Sequence, residues 1–349
     1  MKCFLKYTIE STTYSKITDT KEPIIHGYNK KLREENQVKE VGYMEITLAL
    51  GGGGMRGVAH IGVLRALENH GFKIRAIAGT SAGGLVGAVY AAGYSTEKIE
   101  KTVNDMGANW SFWHQSNDQP SLLGISGLAN TLSELLADRT FDELKIPFAA
   151  TAVSLYSGEE IILTKGKVID AVMATIAVPG VFPSQEIGGR VLIDGGVLDP
   201  VPVQVARWMR PDLPVVAVIL HKTPEGWVPD ELPLPISIPG PSSIIERLTK
   251  LRPVQALKIF TRASEVSSKH LSELSMSLYK PEVIVTPRVG HIGLLQNINA
   301  EEMIQAGMDA TEDVLNQIES EANWMKKLQR MVKGNVRPSE KPEIWGDLD

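Results

Sequence analysis

The feature that most constrains this chain is a unit that occurs twice in succession: a short apolar strand runs into a glycine turn, and the turn opens a helix. The first unit is residues 44–50 (MEITLAL), then Gly51-Gly52-Gly53-Gly54-Met55-Arg56-Gly57, then VAHIGVLRALENHG. In that last stretch Val58, Ile61, Val63, Leu64 and Leu67 recur at helical spacing, and Gly71 is placed to stop the helix. The second is residues 73–78 (KIRAIA), then Gly79-Thr80-Ser81-Ala82-Gly83, then the Ala-rich LVGAVYAAG. Strand–turn–helix alternation predicts an α/β fold, with a mostly parallel sheet and helices on both faces. Both turns then fall beyond the carboxyl ends of strands, where such sheets form their sites.

The second turn reads G-x-S-x-G, a nucleophile elbow that presents Ser81 on a tight strand-to-helix corner. Taken alone, the motif also suits a serine helix cap. The first turn offers bare backbone N–H groups for an oxyanion, with Gly52, Gly53 and Gly54 as candidates and Arg56 beside them. Gly52 to Gly57 also satisfies G-x-G-x-x-G, but no Asp or Glu lies between Asn69 and Tyr94 to hold a ribose. A phosphate loop needs Gly-Lys-Ser/Thr after its glycines, which Gly-Met-Arg-Gly does not supply. A serine nucleophile needs a base. Residues 190–202 (RVLIDGGVLDPVP) read as a short strand ending in Asp194-Gly195-Gly196, where Asp194 either opens a turn or serves Ser81.

With these three segments in this order, the chain resembles bacterial patatin-like phospholipases, of the branch related to neuropathy target esterase. The resemblance extends from residue 44 to 316 and includes HIGVLRALENHG, FDELKIPFAATA, AVPGVFPSQEIGGRVLIDGG and VGHIGLL. It implies a three-layer patatin-like fold and a Ser–Asp dyad, with Ser81 as nucleophile and Asp194 as base. It puts Gly52, Gly53 and Gly54 on the oxyanion loop, with Arg56 supporting it. It also implies phospholipid, lysophospholipid or related acyl-ester substrates, with no cofactor and no metal. The chain departs from the family in having Asp199-Pro200 where Asn-Pro is frequent and Val153-Ser154 where Thr-Asp is frequent. A carboxylate at Asp199 is expected to raise the pKa of Asp194. The rival arrangement is a Ser–Asp–His triad drawing on His221, His270 or His291. His60, early in the first helix, reads as a packing or capping residue. A lipid-binding protein without catalysis is the other function class, and intact Ser81, Asp194 and glycine loop argue against it.

The expected organisation is an extension over 1–43, a patatin-like domain over 44–318 and a helix end with polar tail over 319–349. The net charge of −5 gives no basic footprint, so nucleic acid is not an expected partner. One cysteine, Cys3, excludes an intrachain disulfide and suits a reducing compartment. No secretory signal and no 18-residue apolar run is present, so the reading is cytoplasmic, peripheral at the inner face of the membrane. A lipid substrate calls for transient contact with a membrane or micelle. Residues 109–114 (NWSFWH) and the Pro-rich 224–241 are candidates for it, the latter followed by two amphipathic helices that form a lid or cover the sheet. Asn299 reads as a cap for one or two helices over 297–332, residues 4–8 as a weak strand, and Lys326, Lys327, Arg330 and Lys333 as a solvated helix end.

Overall fold

The computed structural model describes residues 44–108, 126–220, 252–293 and 298–332. Its centre is built from the two units read above. β1 (Glu45–Leu50) leads through the glycine loop and a 3₁₀ turn (Gly54–Val58) into α1 (Ala59–Asn69). β2 (Lys73–Gly79) leads through Thr80-Ser81 into α2 (Ala82–Ala91). Gly71 ends the first helix as expected, at φ +76, a left-handed conformation that side-chain-bearing residues seldom adopt.

The chain continues through α3 (Thr96–Ala108), α4 (Ser126–Leu136), β3 (Phe148–Ser154), β4 (Glu160–Leu163) and α5 (Val168–Thr175). Then come β5 (Gln185–Ile187), β6 (Arg190–Asp194), α6 (Val203–Met209), β7 (Val215–Val218), α7 (Arg252–Tyr279) and β8 (Val283–Val285). Helices α8 (Ala300–Glu312), α9 (Leu315–Ala322) and α10 (Trp324–Val332) close it. The parallel core is β3-β2-β1-β7-β8. Strands β4 and β6 run antiparallel to β3.

Alternation along the strands divides the interior into two layers. Ile46, Leu48 and Leu50 of β1 and Val216 and Val218 of β7 join α1, α2, α5 and α8 in the larger one. Ala49 of β1 and Val215 and Ala217 of β7 face the smaller one, with α6 and the Met276 and Tyr279 side chains of α7. Helices therefore cover both faces of a mostly parallel sheet, the three-layer arrangement expected. β1 reads as a nearly continuous apolar run because both faces are buried.

The pairing of β3 decides where the site forms. Ala150 pairs with both Gly79 and Leu163, and Ala152 with both Ile161 and Asp194. Since β4 occupies one edge of β3 at both of these residues, β2 and β6 must share the other. They meet end to end: β2 stops at Gly79, β6 arrives from the opposite direction and stops at Asp194. Their partners on β3 are two positions apart with one residue, Thr151, between them, about 7 Å of strand rise.

Three expectations change. From residue 252 on, the stretch read as two amphipathic helices is one unbroken 28-residue helix, α7; residues 242–251 lie outside the described residues. The stretch read as one or two helices over 297–332 resolves into three, α8, α9 and α10. The basic residues near its end do not fan into solvent: Lys326 and Arg330 pair with Glu321, and Lys327 pairs with Glu45. Trp324, Leu328, Met331 and Val332 of α10 are exposed instead. Asn299 caps α8 as expected, its side chain accepting from the Glu301 N–H at 3.1 Å. Among the described residues no helix is long and apolar enough to cross a membrane. Residues 4–8, 109–114 and 224–241, with His221 and Lys333, lie outside the described residues.

Candidate active site

Ser81 sits where β2 gives way to α2, at φ 53 and ψ −123. A non-glycine residue at positive φ is held there by its surroundings. The corner closes only because small residues surround it. A side chain at Gly79 would collide with the Gly83 backbone, and one at Gly57 with Ala82. The Ser81 N–H donates to the Thr175 hydroxyl of α5 at 2.9 Å, tying the elbow to the helix behind it. The side chain is 8% exposed, almost buried yet not sealed.

Asp194 ends β6 and caps the short turn Gly195–Val197, accepting from the Gly196 N–H at 2.7 Å. Its other partner is the Ser81 hydroxyl. Burial pushes the carboxyl up to about 6, while those two hydrogen bonds pull the other way. Glycine is required at 195, where a side chain would run into Thr151. Thr151 lies on β3 between the residues that register Gly79 and Asp194, and its hydroxyl is 2.7 Å from that of Thr80. The Thr80 proton goes to the Asp199 carbonyl at 2.9 Å, so Thr151 is the donor between the two threonines.

The glycine loop passes directly over this pair: a Cβ on Gly52 would lie 3.1 Å from the Ser81 Cβ. Its candidate donors differ in what they already do. The Gly52 N–H is given to the Pro200 carbonyl at 2.9 Å. Among the described residues, nothing accepts from the N–H groups of Gly53 and Gly54. Arg56 has partners of its own. It is 3% exposed, its Nε donates to the Ile292 carbonyl at 2.7 Å, and it pairs with Glu265 of α7 at 2.5 Å.

The histidines do not assemble a triad among the described residues. His270 and His291 are exposed and sit beside Glu273 and Glu302 respectively. His60 packs in the interior rather than capping its helix: its Nε2 is 2.8 Å from the Gly51 carbonyl, and burial lowers its pKa to about 4.

The expected influence of the Asp199 carboxylate on Asp194 is not what the structure shows. Burial raises Asp194, and Asp199 is not among the causes. The Asp199 carboxyl instead faces Glu160 of β4; burial raises both, and the charge of Glu160 raises Asp199 further. At the site Asp199 contributes its backbone carbonyl, bound by Thr80. The sequence reading missed Thr175, Thr151 and Pro200. Nothing in a threonine or a proline carbonyl marks it as a partner until the strands are paired.

Residues 48–207 match the family model described as patatin-like phospholipase. An uncharacterised NTE family protein of Mycobacterium bovis is 36% identical over 201 residues, covering 54% of this chain and 52% of the relative. A lysophospholipase of Emericella nidulans is 25% identical over 318 residues, covering 82% of this chain and 20% of the relative. Among solved structures, VipD from Legionella pneumophila aligns with a TM-score of 0.43 at 12% identity, covering 79% of this chain and 67% of that one. The chain thus spans about half the length of the mycobacterial relative. Residues 48–207 hold the glycine loop, the serine elbow and the Asp194 turn, and over them the chain matches the patatin-like phospholipase model and is similar to NTE family proteins.

Proposed function

We propose that this protein is a serine lipid acyl hydrolase that cleaves carboxylic ester bonds of phospholipids, lysophospholipids or related acyl esters through a Ser81–Asp194 dyad. The observation that carries the reading is the hydrogen bond between the Ser81 hydroxyl and a buried Asp194 carboxyl whose pKa is raised to about 6. A base with a pKa near the working pH is mostly ionised at neutrality and still accepts a proton well. In the proposed cycle Asp194 takes the Ser81 proton as the oxygen attacks the ester carbonyl. The Gly53 and Gly54 N–H groups hold the tetrahedral oxyanion. Asp194 returns the proton to the departing alcohol or lysolipid, then activates the water that releases the fatty acid. Gly52 lends close approach and a fixed plane rather than a donor, and Arg56 anchors the loop. The lipid character of the substrate is supported by the family and by the lysophospholipase among the relatives. It implies transient docking at a membrane or micelle surface.

The test is hydrolysis of a p-nitrophenyl ester series, short to long acyl, by wild type, Ser81→Ala and Asp194→Asn. Both variants are expected to lose about 10³-fold or more in kcat. Full activity in Ser81→Ala would remove the nucleophile from the reading. Inactivity of wild type on these esters, and on phospholipid and lysophospholipid vesicles, would leave the non-catalytic lipid-binding alternative.

A further inference from the structure

We propose that His60 is a positioning residue of the oxyanion loop: as a neutral imidazole protonated on Nε2, it holds the Gly51 carbonyl and so fixes the peptide planes that aim the Gly53 and Gly54 N–H groups. The assignment rests on the reading of that loop given above. Gly51 is the point where the sheet stops supplying partners to β1. The Leu50 carbonyl is taken by the Thr80 N–H at 3.1 Å, and the Gly51 N–H by the Val218 carbonyl at 3.0 Å. The Gly51 carbonyl is then directed at α1, where the His60 Nε2 lies 2.8 Å away. A carbonyl only accepts, so Nε2 carries the proton and Nδ1 is the bare nitrogen.

The rest of the ring's surroundings keeps it in that state. His60 is 0% exposed, and among the described residues its Nδ1 has no hydrogen-bond partner. A second proton would have to sit on Nδ1, buried and without an acceptor. Burial accordingly depresses the pKa to about 4, and the ring is neutral over the whole range in which an ester hydrolase works. A histidine that only filled space at this position would be a poor choice. A leucine fills the same volume without burying an unsatisfied nitrogen. The bond to Gly51 is the feature that a leucine does not supply.

Geometry connects that bond to the chemistry. The Gly51 carbonyl and the Gly52 N–H belong to one peptide group. His60 holds one side of it, and the Pro200 carbonyl holds the other at 2.9 Å. A peptide plane gripped on both sides fixes the starting direction of the next two, and Gly52 is the residue in contact with Ser81. The grip is rigid because α1 is itself pinned. A side chain on Gly307 of α8 would collide with the Ala59 carbonyl, and one on Gly62 with the Ile304 carbonyl.

The experiment compares wild type, His60→Leu and His60→Gln on a short p-nitrophenyl ester, together with the imidazole ¹⁵N shifts of the wild type from pH 8 to pH 5. His60→Leu is expected to stay folded and to lose about 10- to 100-fold in kcat with KM little changed, since misaiming a donor affects the transition state and not substrate binding. His60→Gln, whose amide restores an N–H donor, is expected to recover most of that loss. The ¹⁵N shifts are expected to show a neutral Nε2–H ring throughout. Wild-type kcat in His60→Leu overturns the proposal, as does a ring protonated on Nδ1. If His60→Leu fails to fold, His60→Gln decides: near-wild-type kcat supports the proposal, and a folded variant with kcat lost overturns it. An inactive wild type removes the hydrolase reading, while the ¹⁵N shifts still decide whether His60 holds Gly51 as a neutral donor.

Discussion

A buried carboxyl is a stability cost at the pH where it is ionised. Asp194 has its pKa raised to about 6 in the folded chain, against about 3.9 in an unfolded one. The folded state therefore binds this proton more tightly than the unfolded state does. That contribution to stability is complete below pH 4 and is lost as the pH rises through 6. Two outcomes follow. The kcat/KM profile of wild type falls on the acid side with a midpoint near pH 6, read from initial rates across pH 4.5–8. Asp194→Asn, which never ionises, is more stable than wild type at pH 8 by roughly 2–3 kcal/mol, and the gap closes toward pH 4 in thermal scans. Thr175→Val keeps the shape of its side chain but leaves the Ser81 N–H without an acceptor. It is expected to cost about 1–3 kcal/mol in denaturant unfolding and to lower kcat by loosening the elbow. At this scale Ser81 and Asp194 were legible, because glycine turns after apolar strands announce themselves. The role of Asp199 was misread, because adjacency in sequence to Asp194 says nothing about which way its carboxyl points. It points to Glu160 on the far edge of β3.

Between elements, the close contacts run through positions that carry no side chain. Gly62 of α1 and Gly307 of α8 let the two helices approach until backbone touches backbone. Gly307→Ala drives a methyl group into the Ala59 carbonyl and is expected to cost about 1–3 kcal/mol, measured as a fall in Tm. Its effect on kcat is expected to follow, since α1 carries the first turn that abuts the glycine loop. The long α7 is fastened to the same loop by the Arg56–Glu265 pair, with Arg262 also on Glu265. Glu265→Gln leaves Arg56 buried with a weakened partner and is expected to destabilise by about 1–3 kcal/mol. The helices around both turns were legible from their apolar spacing and their glycine stops. The unbroken run of α7 through Thr261 was not, because a β-branched residue is a weak helix former that packing overrides. Nor was the α1–α8 contact, because an interior glycine reads as a weak helix former until its neighbour is known.

Over the whole molecule, chemistry and anchorage occupy opposite ends of the sheet. The serine elbow, the glycine loop and the Asp194 turn lie at the carboxyl ends of β1 and β2. At the other end Glu45, which opens β1, binds both Arg75 and Lys327. That contact docks α10 by its charged face and leaves its apolar face outward, with Leu328 52% exposed. Leu328→Lys is expected to leave Tm within about 1 °C and to reduce binding of an apolar dye such as ANS. The layer order was legible from strand–helix alternation. The inside-out docking of α10 was not, since the pairing of its lysines depends on an acid nearly the whole chain away.

The meeting of β2 and β6 along one edge of β3 has a further meaning for how such a chain changes over generations. Ser81 and Asp194 take their separation from a single strand, so the loops between the intervening elements are free to lengthen or shrink. Residues added at the Gly188-Gly189 hairpin alter no distance between Ser81 and Asp194. One residue added to β3 between Ala150 and Ala152 displaces Ser81 and Asp194 from each other at a stroke. Drift is cheap in the loops and forbidden in those few positions of one strand.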